Sequence, residues 1–307
     1  MAPLMDVDTS TSDTSYSTKD GSRDFITQLG YTIPAADGGN ISMDDLATEN
    51  PTFREVRQVK VHDVRNYPEE FKLDVHGFQY HKLPSIPGEG EVDFFNHDDP
   101  KIPEIHYKGM ADWYAKELGA KEVLIYNHIV RNDKWAPHKY SNKYSGPAHR
   151  PHIDIARSFA PDLFRGIYSK MRPDDTSIDS IIENGNWKMI NLWRPIKTIK
   201  RDPLAVLDTR SASDSDIITT EQEYEPGYKV KNSWLKSGID ADDPDEKIGH
   251  RWYYMSKQQP DEVVAFKMFD GAKDATSCGT AHTAVHVPGS EGEENRVSLE
   301  MRLFAIY

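Results

Sequence analysis

Apolar and polar residues alternate with period two over "VRQVKVHDV" and "FKLDVHGFQYHKL", which predicts a strand at 56–64 and another at 71–83. "KEVLIYNHIVR" is nearly all apolar at its centre and predicts a buried strand. Two segments follow helical spacing instead. "YKGMADWYAKELG" reads as a helix closed by Gly119. "SFAPDLFRGIYSKM" places Phe159, Leu163, Phe164, Ile167, Tyr168 and Met171 on one stripe, which is core-facing. Beyond it come "WKMINLWRPI", "PLAVLDT", "HRWYYMS", "DEVVAFKMF", "TAVHV" and "RVSLEMRLFAIY", all strand-like. Helices thus gather in the first half and strands in the second. That order predicts a mainly β fold with flanking helices and a closed or two-sheet jelly-roll core.

Residues 1–22 interrupt this patterning, being dominated by Ser, Thr and Asp. They have neither a basic start nor an apolar run, so they do not read as a secretory signal. They are expected to form a disordered tail, with residues 23–307 as a single domain. The acidic segments "GIDADDPDEK" and "PGSEGEEN" are expected to be solvated loops. One cysteine, Cys278, rules out an internal disulfide and points to a reducing, cytoplasmic setting. A net charge of −13 argues against nucleic acid or an anionic membrane as partner. A mean hydropathy of −0.70 and the lack of any long apolar run argue against a membrane-spanning helix. A small-molecule substrate fits best, and a homo-oligomer stays open. No Gly-x-Ser-x-Gly or phosphate-loop motif is present.

Candidate chemistry sits in three short stretches. In "AHRPHIDIARS", His152 and Asp154 are two apart, so on a strand both side chains share a face. His282, in "AHTAVH", follows 130 positions later. A fold that returns a distant strand to the same place would complete a two-histidine, one-carboxylate set, which leaves three positions of an octahedral ferrous ion open. Arg296 comes 14 positions after His282, with Ser298 on the same face. Arginine's planar fork matches a carboxylate, so this pair suits the far carboxylate of a 2-oxo acid co-substrate. Arg302 shares the face and is the rival anchor. His286 is the rival to His282 as ligand, and is better suited to a supporting or pocket role before the turn at Pro288. A second His-x-Asp, His97 and Asp99, lies in a proline-flanked loop and is set aside. Asn191 and Trp193 share a face of "MINLWRP" and are candidates to line the cavity, with Asn191 beside the co-substrate. His128 and Arg131 are further pocket candidates, as is Phe304, with Ile306, on the Arg296 face. Two other readings use the same residues. One is a zinc hydrolase or isomerase, for which Arg296 would have no purpose. The other is a non-catalytic β-roll binding module, against which the intact triad argues.

"NWKMINLWRPI", "DPLAVLD", "HRWYYM", "PDEVVAFKMFDG", "AHTAVHVP" and "RVSLEMRLFAIY", taken in order, resemble the fungal gibberellin-desaturase and cephamycin-methoxylase-subunit-like group of Fe(II)/2-oxoglutarate oxygenases. The resemblance covers roughly residues 55–307. It implies a double-stranded β-helix, Fe(II), 2-oxoglutarate and dioxygen. It also implies a small-molecule substrate, often of secondary metabolism, attacked by hydrogen-atom abstraction and ending in hydroxylation, desaturation or oxidative cyclisation. His152, Asp154 and His282 match the group's metal positions, and Arg296 opens its last strand. Two departures stand out: Val297 replaces a usual Glu, and Val285 replaces an often aromatic residue.

Overall fold

The computed structural model describes residues 23–36, 38–42, 45–46, 50–67, 71–132, 144–225, 228–237, 249–272 and 279–307. The expected tail at 1–22, Cys278 and the acidic segment at 238–247 lie outside the described residues.

The strands form two sheets. In chain order they are β1 Phe25–Thr32, β2 Arg54–Asp63, β3 Phe78–Lys82, β4 Glu122–Asn132, β5 Tyr144–Ser145, β6 His152–Ile153 and β7 Trp187–Pro195. β8 Leu204–Leu207, β9 Ile217–Glu225, β10 Tyr228–Leu235, β11 Trp252–Tyr254, β12 Glu262–Asp270, β13 His282–Ala284 and β14 Val297–Ile306 follow. The first sheet runs β1-β2-β11-β8-β13-β6-β10-β9 and the second β3-β12-β7-β14-β4-β5. Neighbours are antiparallel except β11 against β2 and β5 against β4. This is the jelly-roll architecture expected from the sequence.

Why the second sheet reads as almost continuously apolar follows from what covers it. One face of β7, β12 and β14 meets the first sheet through Trp193, Phe266 and Phe304, packed with Val61, Leu207 and Trp252. The other face presents Leu192, Ala265, Leu299, Met301 and Leu303 to a second cluster that includes Met110 and Tyr114 of helix α2, Lys108–Leu118. A strand buried on both faces loses the alternation of a half-solvated one. On β14 the inward row is Ser298, Glu300, Arg302, Phe304 and Ile306, and its polar members Ser298 and Glu300 are buried as deeply as the apolar ones, with Arg302 partly buried. Helix α3, Ala160–Met171, sets Phe164 against Trp187 at 4.5 Å and Phe304 at 4.3 Å, where the amphipathic stripe predicted it.

Several elements differ from expectation. "FKLDVHGFQYHKL" does not form one strand. Leu73–His76 makes a helical turn, α1, because the His76 N–H returns to the Lys72 carbonyl at 2.8 Å and the His76 ring accepts the Lys72 N–H. Gly77 then reverses the chain at φ 85°, a conformation that favours glycine, and β3 starts at Phe78. "TAVHV" is strand only to Ala284, and His286 already lies in the turn beyond it. β1, β9, β10 and the short helix α4, Ile178–Asn184, were not anticipated.

Candidate metal centre

β6 is only two residues long but sits between β10 and β13. Its His152 lies opposite Trp234 on one side and opposite His282 on the other. The antiparallel pairing sets the two imidazoles 4.4 Å apart, centroid to centroid. Asp154, just past the strand, returns to the same face. One ligand atom from each of the three residues falls within 4.8 Å of the others. Glycine at 279 lets the chain into β13. A Cβ there would clash with the Met268 carbonyl oxygen and lie 2.8 Å from Ile153 Cγ2.

Backbone carbonyls orient both rings. His152 Nδ1 is 2.7 Å from the Arg150 oxygen, and His282 Nδ1 is 3.3 Å from the Thr280 oxygen. Donation from each Nδ1–H leaves each Nε2 with its lone pair facing Asp154 Oδ1, at 3.4 Å and 3.7 Å. His282 Nε2 is buried with no hydrogen-bond partner, an unfavourable state for a polar atom unless something is bound there. Burial, then the neighbouring His152, lowers the His282 pKa to about 4, so the ring is neutral as a metal ligand must be. Burial would push the Asp154 carboxyl up, but Arg302 and the two histidines hold it well below the usual carboxylate range. Two imidazoles and one carboxylate fit a ferrous ion.

Asp154 Oδ2 faces away from the histidines. It accepts from Asn191 Nδ2 at 2.8 Å and from Arg302 Nε at 3.0 Å, both on the second sheet. Arg302 Nη2 reaches Glu300 Oε1 at 3.0 Å, and Arg131 donates to Glu300 Oε2 at 3.3 Å. Asn191, expected from the sequence beside the co-substrate, hydrogen-bonds Asp154 itself. Arg302, the rival anchor, is engaged with two carboxylates. Arg296 stands apart from them: its guanidinium lies 5.5 Å from the Trp193 ring and donates to the Asp202 carbonyl at 2.7 Å. Ser298 Oγ and Trp193 Nε1 on the same inner face are buried with no hydrogen-bond partner.

The remaining pocket candidates divide. Arg131 is on the inner face through Glu300. His128 is not. It pairs with the outward Met301, stacks on His97 at 4.2 Å and takes Tyr107 Oη at 2.6 Å. His286 is half exposed and pairs with Glu291 at 2.8 Å, away from the triad. Phe304 is core, stacked on Tyr126 at 4.7 Å and tilted against Phe164 at 4.3 Å. The sequence reading missed Glu300 and Asn232, whose amide donates to the Asp154 carbonyl. Glu300 was detectable as a carboxylate in the Arg296–Ser298 row; nothing flagged Asn232.

No helix among the described residues is long and apolar enough to cross a membrane. Residues 29–306 match the family described as Oxidoreductase/YMDC permease-like domain. The chain is similar to the alpha-ketoglutarate-dependent dioxygenase tstK of Talaromyces stipitatus, 32% identical over 205 residues that cover 64% of this chain and 68% of that one. It is also similar to the gibberellin cluster GA4 desaturase of Gibberella fujikuroi, 31% identical over 183 residues, 53% of this chain and 51% of that one. Among solved structures, the iron and alpha-ketoglutarate-dependent endoperoxidase NvfI aligns with a TM-score of 0.72 at 21% identity, covering 92% of this chain and 98% of that chain, and so shares the fold. The resemblance read from the ordered strand segments is borne out, and the chain belongs to the Oxidoreductase/YMDC permease-like domain family, in the group of fungal Fe(II)/2-oxoglutarate-dependent oxygenases.

Proposed function

We propose that His152, Asp154 and His282 hold Fe(II), that Arg296 and Ser298 hold the far carboxylate of 2-oxoglutarate, and that residues 23–307 act as one unit on a small molecule of secondary metabolism. The observation that carries this reading is the convergence of two imidazole Nε2 atoms and one carboxylate oxygen within 4.8 Å. When bound, Fe(II) and 2-oxoglutarate supply dioxygen activation, which turns the co-substrate into succinate and carbon dioxide and removes a hydrogen atom from the substrate. The chain's own part is positioning. The Arg150 and Thr280 carbonyls fix the tautomer and angle of the two rings. Arg296 offers a planar, permanently charged fork, held by Trp193 and the Asp202 carbonyl. Ser298 Oγ offers a hydroxyl that has no protein partner to lose. Phe266, 4.6 Å from the His282 ring, and the apolar layer behind it keep water from the buried side of the centre.

The relatives' names span a dioxygenase and a desaturase. Hydroxylation, desaturation and oxidative cyclisation diverge only after hydrogen abstraction, according to where the substrate radical lies. The reading is tested by anaerobic addition of Fe(II) and 2-oxoglutarate to the purified protein. A weak visible charge-transfer band is expected for wild type and is lost in His152→Ala and Asp154→Ala, with the fold retained by circular dichroism. Equal iron content and an equal band in either variant would sink the assignment.

A further inference from the structure

The two oxygens of Asp154 have different surroundings. Oδ1 faces His152 and His282 Nε2 at 3.4 and 3.7 Å, while Oδ2 takes two hydrogen bonds from the opposite sheet. We propose that Arg302, assisted by Asn191, is a positioning residue that confines Asp154 to ligation through one oxygen. The proposal rests on the metal assignment above.

Coordination arithmetic gives the confinement its purpose. A six-coordinate ion with two histidines and one carboxylate oxygen keeps three positions open. A chelating 2-oxo acid would need two of them, which leaves one for dioxygen. If Asp154 turned both oxygens to the metal, only two would remain, and co-substrate and dioxygen would compete. Carboxylates bind metals in either mode, so something must select. Here Oδ2 is held by a neutral amide at 2.8 Å and a guanidinium at 3.0 Å. Turning it toward the metal would break both of these hydrogen bonds and leave Asn191 and Arg302 with Glu300 as their carboxylate partner.

Arg302 is itself aimed. Its Nη2 lies 3.0 Å from Glu300 Oε1, and Arg131 lies 3.3 Å from Glu300 Oε2. Arg131, Glu300, Arg302 and Asp154 thus alternate in sign along a buried line, and Asn191 bridges both carboxylates. Arg302 grips Asp154 Oδ2 with both Nε and Nη2, each at 3.0 Å, while Nη2 also reaches Glu300, so two nitrogens of one rigid fork are in use. A lysine ammonium has one nitrogen and cannot reproduce that geometry. Both histidines belong to the first sheet and Arg302 to the second, so the clamp also fixes where Asp154 stops between the sheets.

The test uses the full-length protein freed of metal and titrated anaerobically with Co(II), whose visible d–d absorption reports coordination number. Wild type, Arg302→Lys, Asn191→Ala and Asp154→Ala are compared, with circular dichroism to confirm folding. Asp154→Ala tests the metal assignment alone: wild-type Co(II) binding there removes the triad and the proposal with it. With Asp154→Ala defective, Arg302→Lys is expected to bind Co(II) about 10- to 100-fold more weakly. Its spectrum should respond less to added 2-oxoglutarate, because a second Asp154 oxygen would take one of the positions open to the chelate. Asn191→Ala should move the same way by less. Wild-type affinity and spectrum in both Arg302→Lys and Asn191→Ala overturns the proposal. So does weaker binding with a wild-type spectral response to 2-oxoglutarate, because that would mark a merely structural role.

Discussion

Arg296 and Arg302 share the inward row of β14, yet their surroundings assign them different work. Arg302 has two carboxylate partners, whereas Arg296 rests on Trp193 beside the unpartnered Ser298 hydroxyl. Arg296→Ala is therefore expected to weaken 2-oxoglutarate binding by about 2–4 kcal/mol, roughly 30- to 1,000-fold, with Fe(II) affinity little changed. Arg296→Lys should recover part of the loss, and Ser298→Ala should cost less than Arg296→Ala. Equilibrium titration of 2-oxoglutarate into the Fe(II)-loaded variants decides it. If Arg296→Ala matches wild type, the anchor lies elsewhere. The triad was legible in the sequence because strand period and chain order are local properties. The role of Asn191 was not, because it depends on Asp154 reaching across from the other sheet, and no spacing within "MINLWRP" encodes that.

The elements that carry the site are short and tightly enclosed. β13 has three residues, and the chain reaches it past Gly279, where an added methyl would meet the Met268 backbone as well as the Ile153 side chain. Gly279→Ala should displace the entry to β13 and lower both melting temperature and metal retention. Leu299→Ala, on the outward row of β14, separates packing from chemistry. It should cost about 2–5 kcal/mol in urea unfolding while the metal-loaded spectrum stays as in wild type. A Gly279→Ala protein with native stability and full metal content would show that the strand yields there. Long, doubly covered strands such as β7 and β14 were readable from composition alone. α1 was not: alternation in "FKLDVHGFQYHKL" mimics a strand, and the local hydrogen bonds from Lys72 to His76 override it.

Across the molecule, several histidines are buried and neutral. Burial, then His97, lowers the His128 pKa from its ordinary 6.5 to about 4, and burial likewise lowers His81, His106 and His250. A depressed folded pKa means that the unfolded chain takes the proton first. The stability that His128 confers is complete above about pH 6.5 and is lost as pH falls toward about 4, and the other three act in the same direction. The urea midpoint should be level near pH 7 to 8 and decline through that window, and His128→Gln should flatten part of the decline. A level midpoint from about pH 7 to 5 would refute this. His128 looked like a pocket residue in the sequence because nothing there says which face of β4 it takes. Its pairing with outward Met301 decides that.

The site also joins two layers. Its histidines hang from one sheet, while Asp154 is held by Asn191 and Arg302 of the other, so an ion bound there fastens the sandwich through its middle. Any ligand that binds only the folded chain stabilises it by mass action, about 2.7 kcal/mol at 100 times its dissociation constant. The abundance of this enzyme in a cell should then follow iron supply. Under starvation, unloaded molecules open more often, proteases remove them, and the level of protein falls before any change in its synthesis.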